Sequence, residues 1–251
     1  MPKYFCVSDI HGFYDELKFA LDEAGFDTTN ENHWLVVCGD CFDRGPKPEE
    51  VKKYLSSLPR KVLVKGNHED LLVECCERGY PMSHDFSNGT CETICKFGNF
   101  DLDHPFDECC DRTLAKTGPF IDSMVNYFET KHYIFVHSFV PLNCDDNLPP
   151  HYILNRKFSK MENWRDASDL KWEDARWGNP FELASKGLLP DKTLVFGHFH
   201  TSWARAKYEY KPEWGEHANF SPYYGDGYIG IDACCAYSGK INCLVIEDEV
   251  M

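Results

Sequence analysis

Five short apolar runs in this chain each end on a side chain able to bind a metal ion. Tyr4–Val7 runs into Ser8-Asp9-Ile10-His11-Gly12, Trp34–Cys38 into Gly39-Asp40-Cys41-Phe42-Asp43-Arg44-Gly45, and Val62–Lys65 into Gly66-Asn67-His68-Glu69. Further on, Tyr133–Val136 runs into His137-Ser138, and Leu194–Phe196 into Gly197-His198-Phe199-His200. Strands of an α/β sheet present their carboxyl ends along one edge, where ligands bind. Chance places one Asp or His after one strand; it rarely repeats this after five.

Between the first three runs the pattern is helical. Phe13, Leu17, Leu21 and Ala24 recur at helical spacing and Gly25 stops them. Pro46 and Pro48 open a second segment with Val51, Tyr54, Leu55 and Leu58 on one face, Pro being well tolerated at a helix start. Leu71, Leu72, Cys75 and Cys76 predict a third helix ending near Gly79. This alternation predicts a parallel sheet flanked by helices.

From Tyr80 to Lys131 the pattern loosens around Pro81, Gly89, Gly98, Pro105, Gly118 and Pro119. We read residues 80–131 as a mostly helical insertion over the active edge, the alternative being a packing unit with no substrate role. Irregular sequence returns from Pro141 to Pro190, with Trp164, Trp172 and Trp177 either lining a groove or anchoring loops. Tyr228–Ile231 and Ile241–Ile246, separated by Asp232–Lys240, are expected to pair antiparallel. No repeat or linker interrupts residues 1–251, which read as a single domain.

Composition narrows the function. A formal charge of -15 argues against a broad nucleic-acid surface, which needs clustered Lys and Arg. No stretch approaches the roughly 20 apolar residues of a membrane span, and the N-terminus lacks a signal-peptide core. A cytoplasmic location is the expectation. The 13 cysteines include the adjacent pairs Cys75-Cys76, Cys109-Cys110 and Cys234-Cys235. They are expected to be buried thiols rather than disulfides or a zinc ribbon.

Asp, Asn and His donors suit borderline divalent ions such as manganese, iron or zinc. Asp9 and His11 can face one ion, Asp40 can bridge two with its two oxygens, and Asn67, His137 and His198 can complete the set; His200 could reach back to the first ion. Two ions roughly 3.5–4 Å apart clamp attacking and leaving oxygens, which suits phosphoryl hydrolysis.

Together, Asp-x-His, Gly-Asp-x-x-Asp-Arg-Gly, Gly-Asn-His-Glu, a lone His and Gly-His-x-His resemble the calcineurin-like metallophosphoesterase superfamily. The Asp-Arg-Gly extension is similar to the phosphoprotein-phosphatase branch, in particular its small bacterial and phage serine/threonine phosphatases. The resemblance covers Tyr4 to His200. It implies an α/β, four-layer-type fold with mixed sheets flanked by helices and the metal site at the carboxyl ends of strands. It implies that Asp9, His11 and Asp40 hold one metal, and Asp40, Asn67, His137 and His198 the other. His68 would be the general acid, Asp43 would orient it from behind, and Arg44 would clamp the phosphate. The family also brings a second phosphate-binding Arg, for which Arg176 is the first candidate and Arg165 the second. Ser8 departs from the Gly usual before Asp-x-His, and Lys65 stands where eukaryotic relatives carry Arg. Protein-phosphatase relatives commonly lack a counterpart of His200, so it is either an extra ligand or a near-site residue.

The expected cofactor is therefore two divalent ions, manganese first, with iron, zinc, nickel or cobalt as alternatives. The expected substrate is a phosphorylated protein (phosphoserine, phosphothreonine or phosphotyrosine) or a small phosphoester, with no nucleic-acid or membrane partner; the oligomeric state is not legible. The alternative is a diadenosine polyphosphate hydrolase or a phosphodiesterase. A non-catalytic scaffold is the third reading, and the complete ligand set argues against it.

Overall fold

The computed structural model describes residues 1–99, 105–144 and 157–250. Its first sheet is built from β1 (Lys3–Val7), β2 (His33–Cys38), β3 (Lys61–Val64) and β11 (Leu244–Glu247), in the order β11-β1-β2-β3. β1, β2 and β3 run parallel, as the alternation with helices predicts, and β11 is antiparallel to β1. The second sheet has the order β4 (Phe128–Glu129), β5 (Tyr133–Phe135), β8 (Thr193–Phe196), β10 (Tyr228–Gly230), β9 (Tyr223–Gly225), with β5, β8 and β10 parallel and antiparallel edges. β6 (Leu142–Cys144) and β7 (Phe158–Lys160) pair antiparallel in a separate two-stranded sheet.

The expected pairing of Tyr228–Ile231 with Ile241–Ile246 is not what forms. β10 joins the second sheet and β11 the first. Alternation along β11 says that Leu244 and Ile246 share a buried face, but it does not name the neighbour. The short helix α10 (Cys235–Ser238) carries the chain from one sheet to the other.

The central strands of the two larger sheets are buried on both faces, which is why they are continuously apolar. On β1 and β2, Phe5, Val7, Leu35 and Val37 meet the helices, whereas Tyr4, Cys6, Val36 and Cys38 meet the other sheet. From that other sheet Phe135, Val195 and Ile229 reply. The outer layer on the first sheet is α1 (Tyr14–Glu23), α2 (Pro48–Ser57), α3 (Asn67–Arg78), α5 (Thr90–Gly98) and α6 (Phe106–Ile121), contributing Leu17, Val51, Leu72, Ile94 and Phe120. The second sheet is covered by α7 (Asp169–Ala175), α8 (Pro180–Ser185) and α9 (Thr201–Glu209) through Trp172, Phe181 and Ala204. Mixed sheets flanked by helices are thus the architecture.

The three helices expected after the first three motifs lie where their apolar spacing puts them. Residues 80–131 hold α4 (Ser83–Asn88), α5 and α6, then turn extended: Val125 bridges to Val64, and β4 edges the second sheet. Trp164 and Trp172 anchor the core, with Tyr127 packed 5.0 Å and 5.3 Å from them. Among the described residues no helix is long and apolar enough to cross a membrane.

Candidate metal centre

The carboxyl ends of β1, β2, β3, β5 and β8 converge, and the chain leaves them in strained turns. Asp9, His11, Asp40, Asp43, Arg44, His198 and Cys234 all have positive φ, between 50° and 68°. For residues with a Cβ this conformation costs on the order of 1–3 kcal/mol each and gathers at functional sites. Glycines make room beside them. A Cβ on Gly66 would lie 2.1 Å from Asp40 Oδ1, and one on Gly197 would lie 2.1 Å from Asp9 Oδ2.

Asp40 is the hub. His11, Asp40 and His68 offer ligand atoms within 4.8 Å of one another, and so do Asp40, His137 and His198. His11 Nε2 lies 3.6 Å from Asp40 Oδ2 and 4.0 Å from Asp9 Oδ1. His137 Nε2 lies 3.4 Å from Asp40 Oδ1, 2.8 Å from Asn67 Oδ1 and 3.2 Å from His198 Nδ1. The opposite ring nitrogens of His11 and His137 face backbone carbonyls, Phe42 O at 2.9 Å and Cys38 O at 2.9 Å. Those contacts fix the tautomer and aim Nε2 into the centre.

A second layer holds these ligands. The buried Glu69 carboxylate accepts the backbone N–H groups of Asp40, Cys41 and Gly66 at 3.0, 2.8 and 2.8 Å. Asp9 Oδ2 accepts the His198 N–H at 2.9 Å. His68 Nδ1 meets Asp43 Oδ2 at 2.7 Å, and the Thr90 hydroxyl donates to the same oxygen at 2.8 Å. Thr93 Oγ1 accepts the Asp43 N–H. The start of α5 therefore braces the His68–Asp43 pair from outside. Arg44 spans His11 Nε2 at 2.7 Å and His68 Nε2 at 3.0 Å.

The electrostatics fit a cation. Burial raises the carboxyls of Asp9 and Asp40 well above the usual range; Asp232 then adds to Asp9's shift and Asp9 to that of Asp40. Burial lowers His11 and His137 well below the ordinary imidazole value and His198 to about 3, so all three stand neutral. Neutral imidazoles and crowded carboxylates are a divalent ion's ligands, and an ion reverses the repulsion among the carboxylates. Cys38 and Cys41 bracket Asp40 in a Cys-x-x-Cys spacing, but burial pushes both thiols up, which disfavours the thiolate a metal needs. Nine of the 13 cysteines are buried.

Three anticipated residues sit apart from this cluster. His200 caps α9: its Nδ1 accepts the Trp203 N–H at 3.2 Å and meets Ser202 Oγ at 2.9 Å, while Nε2 lies 3.5 Å from Glu213. Arg176 is buried and donates to Asp70 Oδ2 at 2.6 Å and Asn126 Oδ1 at 2.9 Å, near enough for its field to disfavour protonation of His137. Arg165 is tied to Glu129 and Asp191 and lies over the Trp164 ring. Asp232 accepts the Cys234 N–H at 2.6 Å. It also lines the cavity of about 230 Å³ that holds His11, Arg44, His198 and His200. Burial raises its carboxyl to about 6. Its only sequence signal is its place after a strand, shared with the motif residues.

Comparison with known proteins places this geometry. The family model described as calcineurin-like phosphoesterase matches residues 2–225. The symmetrical bis(5'-nucleosyl)-tetraphosphatase of Buchnera aphidicola subsp. Acyrthosiphon pisum (strain Tuc7) is 42% identical over 74 residues, 29% of this chain and 26% of that protein. The chain thus spans about a quarter of the length of the curated relatives it matches. Among solved structures, a putative diadenosine tetraphosphatase shares 16% identity with a TM-score of 0.52, covering 98% of this chain and 91% of that one. A cold-active protein tyrosine phosphatase of a psychrophilic Shewanella shares 14% identity with a TM-score of 0.54, covering 98% and 76%. These two likenesses show the fold.

Proposed function

This chain belongs to the calcineurin-like phosphoesterase family, and we propose that it is a two-metal hydrolase whose substrate is a dinucleoside polyphosphate. The observation that carries the chemistry is the meeting of both donor groups on one residue, Asp40, beside the His68–Asp43 pair. Asp9, His11 and Asp40 would hold one ion, and Asp40, Asn67, His137 and His198 the other. Bound there, the ions supply charge stabilisation to the phosphoryl oxygens and a nucleophilic water.

The chain's own residues do the rest. Arg44 presents a planar fork of donors between His11 and His68, fitted to an anionic phosphoryl group. His68 delivers a proton to the leaving oxygen from Nε2, since Nδ1 is held by Asp43. Asp43 stabilises the protonated ring before delivery and keeps it oriented. The carboxylates and rings of Asp9, His11, Asp40, His68 and His137 are buried, which strengthens each charge interaction among them.

The substrate reading is supported by the relatives' printed activity, found at 42% identity over 74 residues. A second reading, hydrolysis of a phosphoprotein, is supported by the Asp-Arg-Gly extension that sets Arg44 next to His68. Turnover of diadenosine tetraphosphate, a phosphoserine peptide and a phosphotyrosine peptide by the manganese-loaded protein separates them. The first reading requires the dinucleotide to have the highest kcat/KM. Dominant peptide turnover would transfer the assignment to the second reading, and turnover of none would remove both.

A further inference from the structure

The surface next to the metal centre carries an aromatic cluster that lies outside the buried cores. Between α9 and β9 the chain reads Lys-Pro-Glu-Trp-Gly-Glu-His-Ala-Asn-Phe-Ser over residues 211–221. From this polar stretch Trp214 and Phe220 meet Tyr237 of α10. The Trp214 and Tyr237 rings pack edge-on at 4.9 Å, and Phe220 lies 5.7 Å from Tyr237. Trp214 is 47% exposed and Tyr237 52%. None of the three belongs to a buried core cluster.

Two observations connect this cluster to a ligand. The His200 ring lies 4.6 Å from that of Trp214 and also lines the cavity that holds His11, Arg44 and Asp232, so the aromatic surface continues from the catalytic cavity wall. On its far side, Phe220 and Tyr237 line a cavity of about 620 Å³ with Asn219, Asn242, Ser238 and Lys240. Ring faces for stacking, the Asn219 amide and Ser238 hydroxyl for a heterocycle's edge, and the Lys240 amine with the Glu216 carboxylate in the same lining are groups that recognise an unpaired nucleobase and its sugar. The platform is held in advance. The Gly215 N–H donates to Tyr237 Oη at 2.8 Å, and Asn242 Nδ2 donates to Phe220 O at 2.7 Å and Ile231 O at 3.0 Å. Such preorganisation lowers the ordering cost of binding.

We propose that Trp214, Phe220 and Tyr237 form the stacking subsite for one nucleobase of a dinucleoside polyphosphate whose phosphate chain reaches the metal centre. The inference rests on the dinucleotide reading above and makes the His200 ring the junction between base and phosphates. Stacking is tolerant of base identity, so adenine and guanine dinucleotides should both bind here.

The test uses the manganese-loaded protein and the variants Trp214→Leu and Tyr237→Leu, which keep apolar bulk but remove the ring. Both sites are exposed, and an unchanged thermal midpoint confirms folding. The expected result is a KM for diadenosine tetraphosphate raised about 10–100-fold with kcat retained, the range that loss of one base stack gives. Hydrolysis of inorganic tripolyphosphate, which has no base, should not change. Saturation-transfer NMR with adenosine alone should show binding to the wild type and its loss in both variants. Equal loss on both substrates, no loss on either, or adenosine that does not bind would overturn the proposal. So would selective loss of phosphotyrosine-peptide turnover. If the wild type hydrolyses phosphopeptides but no dinucleotide, the functional reading fails by itself, and the adenosine measurement then decides the subsite.

Discussion

His68 and Asp43 form a buried pair, Nδ1 to Oδ2 at 2.7 Å, with Thr90 donating to the same carboxylate oxygen from α5. Burial lowers the His68 pKa while Asp43 opposes that shift, so a residue outside the ligand set controls the proton that His68 can deliver. Replacing His68 by Ala should lower kcat about 10²–10⁴-fold, the usual worth of general acid–base catalysis. Metal content should stay close to wild type, measured by elemental analysis, because Asp40 keeps its other partners. Loss of metal together with activity would make His68 a ligand instead.

Gly197 has no room for a side chain, because a Cβ would lie 2.1 Å from Asp9 Oδ2 and 2.5 Å from Ser8. Gly197→Ala should therefore push Asp9 or His198 out of place. We expect metal affinity to fall by about 10–100-fold, the loss typical when ligand support is disturbed. Calorimetric manganese titration measures it, and wild-type affinity in the variant would refute the packing argument.

Glu129 titrates far below its ordinary value of 4.5, at about 2, because Arg165 and then Lys192 hydrogen-bond its carboxylate. The folded protein thus favours the charged form more than the unfolded chain does. The resulting stability is complete above about pH 4.5 and is lost as pH falls towards 2. Glu129→Gln should lower stability by about 1 kcal/mol at neutral pH, after allowance for solvent screening. The gap from wild type should close through that acid window in urea unfolding of the metal-free protein. A gap independent of pH would show that packing, not charge, is what Glu129 supplies.

Much of the site was legible in the sequence for a physical reason. Short apolar runs become strands buried on both faces, and the glycines at 39, 66 and 197 each precede a donor and leave the space that His137, Asp40 and Asp9, respectively, occupy. Asp9, His11, Asp40, Asn67, His137 and His198 accordingly meet with Asp43, Arg44 and His68. Side chains whose place depends on tertiary approach were not legible. Glu69 reads as a polar first-turn residue, yet it accepts three backbone N–H groups at the centre of the molecule. Thr90 and Thr93 lie in a segment whose packing no periodicity reveals. The alternation in β11 could not choose between β10 and β1, and Asp232 resembled any strand-terminal Asp. His200 shared a motif with His198, but its capping of α9 turns it towards Glu213 and Trp214.

The central claim is that Asp40 stands between two divalent ions. Crystals soaked in manganese and measured for anomalous scattering test it most directly. We expect two peaks roughly 3.5–4 Å apart, with Asp40 between them, His11 beside one and His137 and His198 beside the other. A single peak, or ions bound away from Asp40, would contradict it.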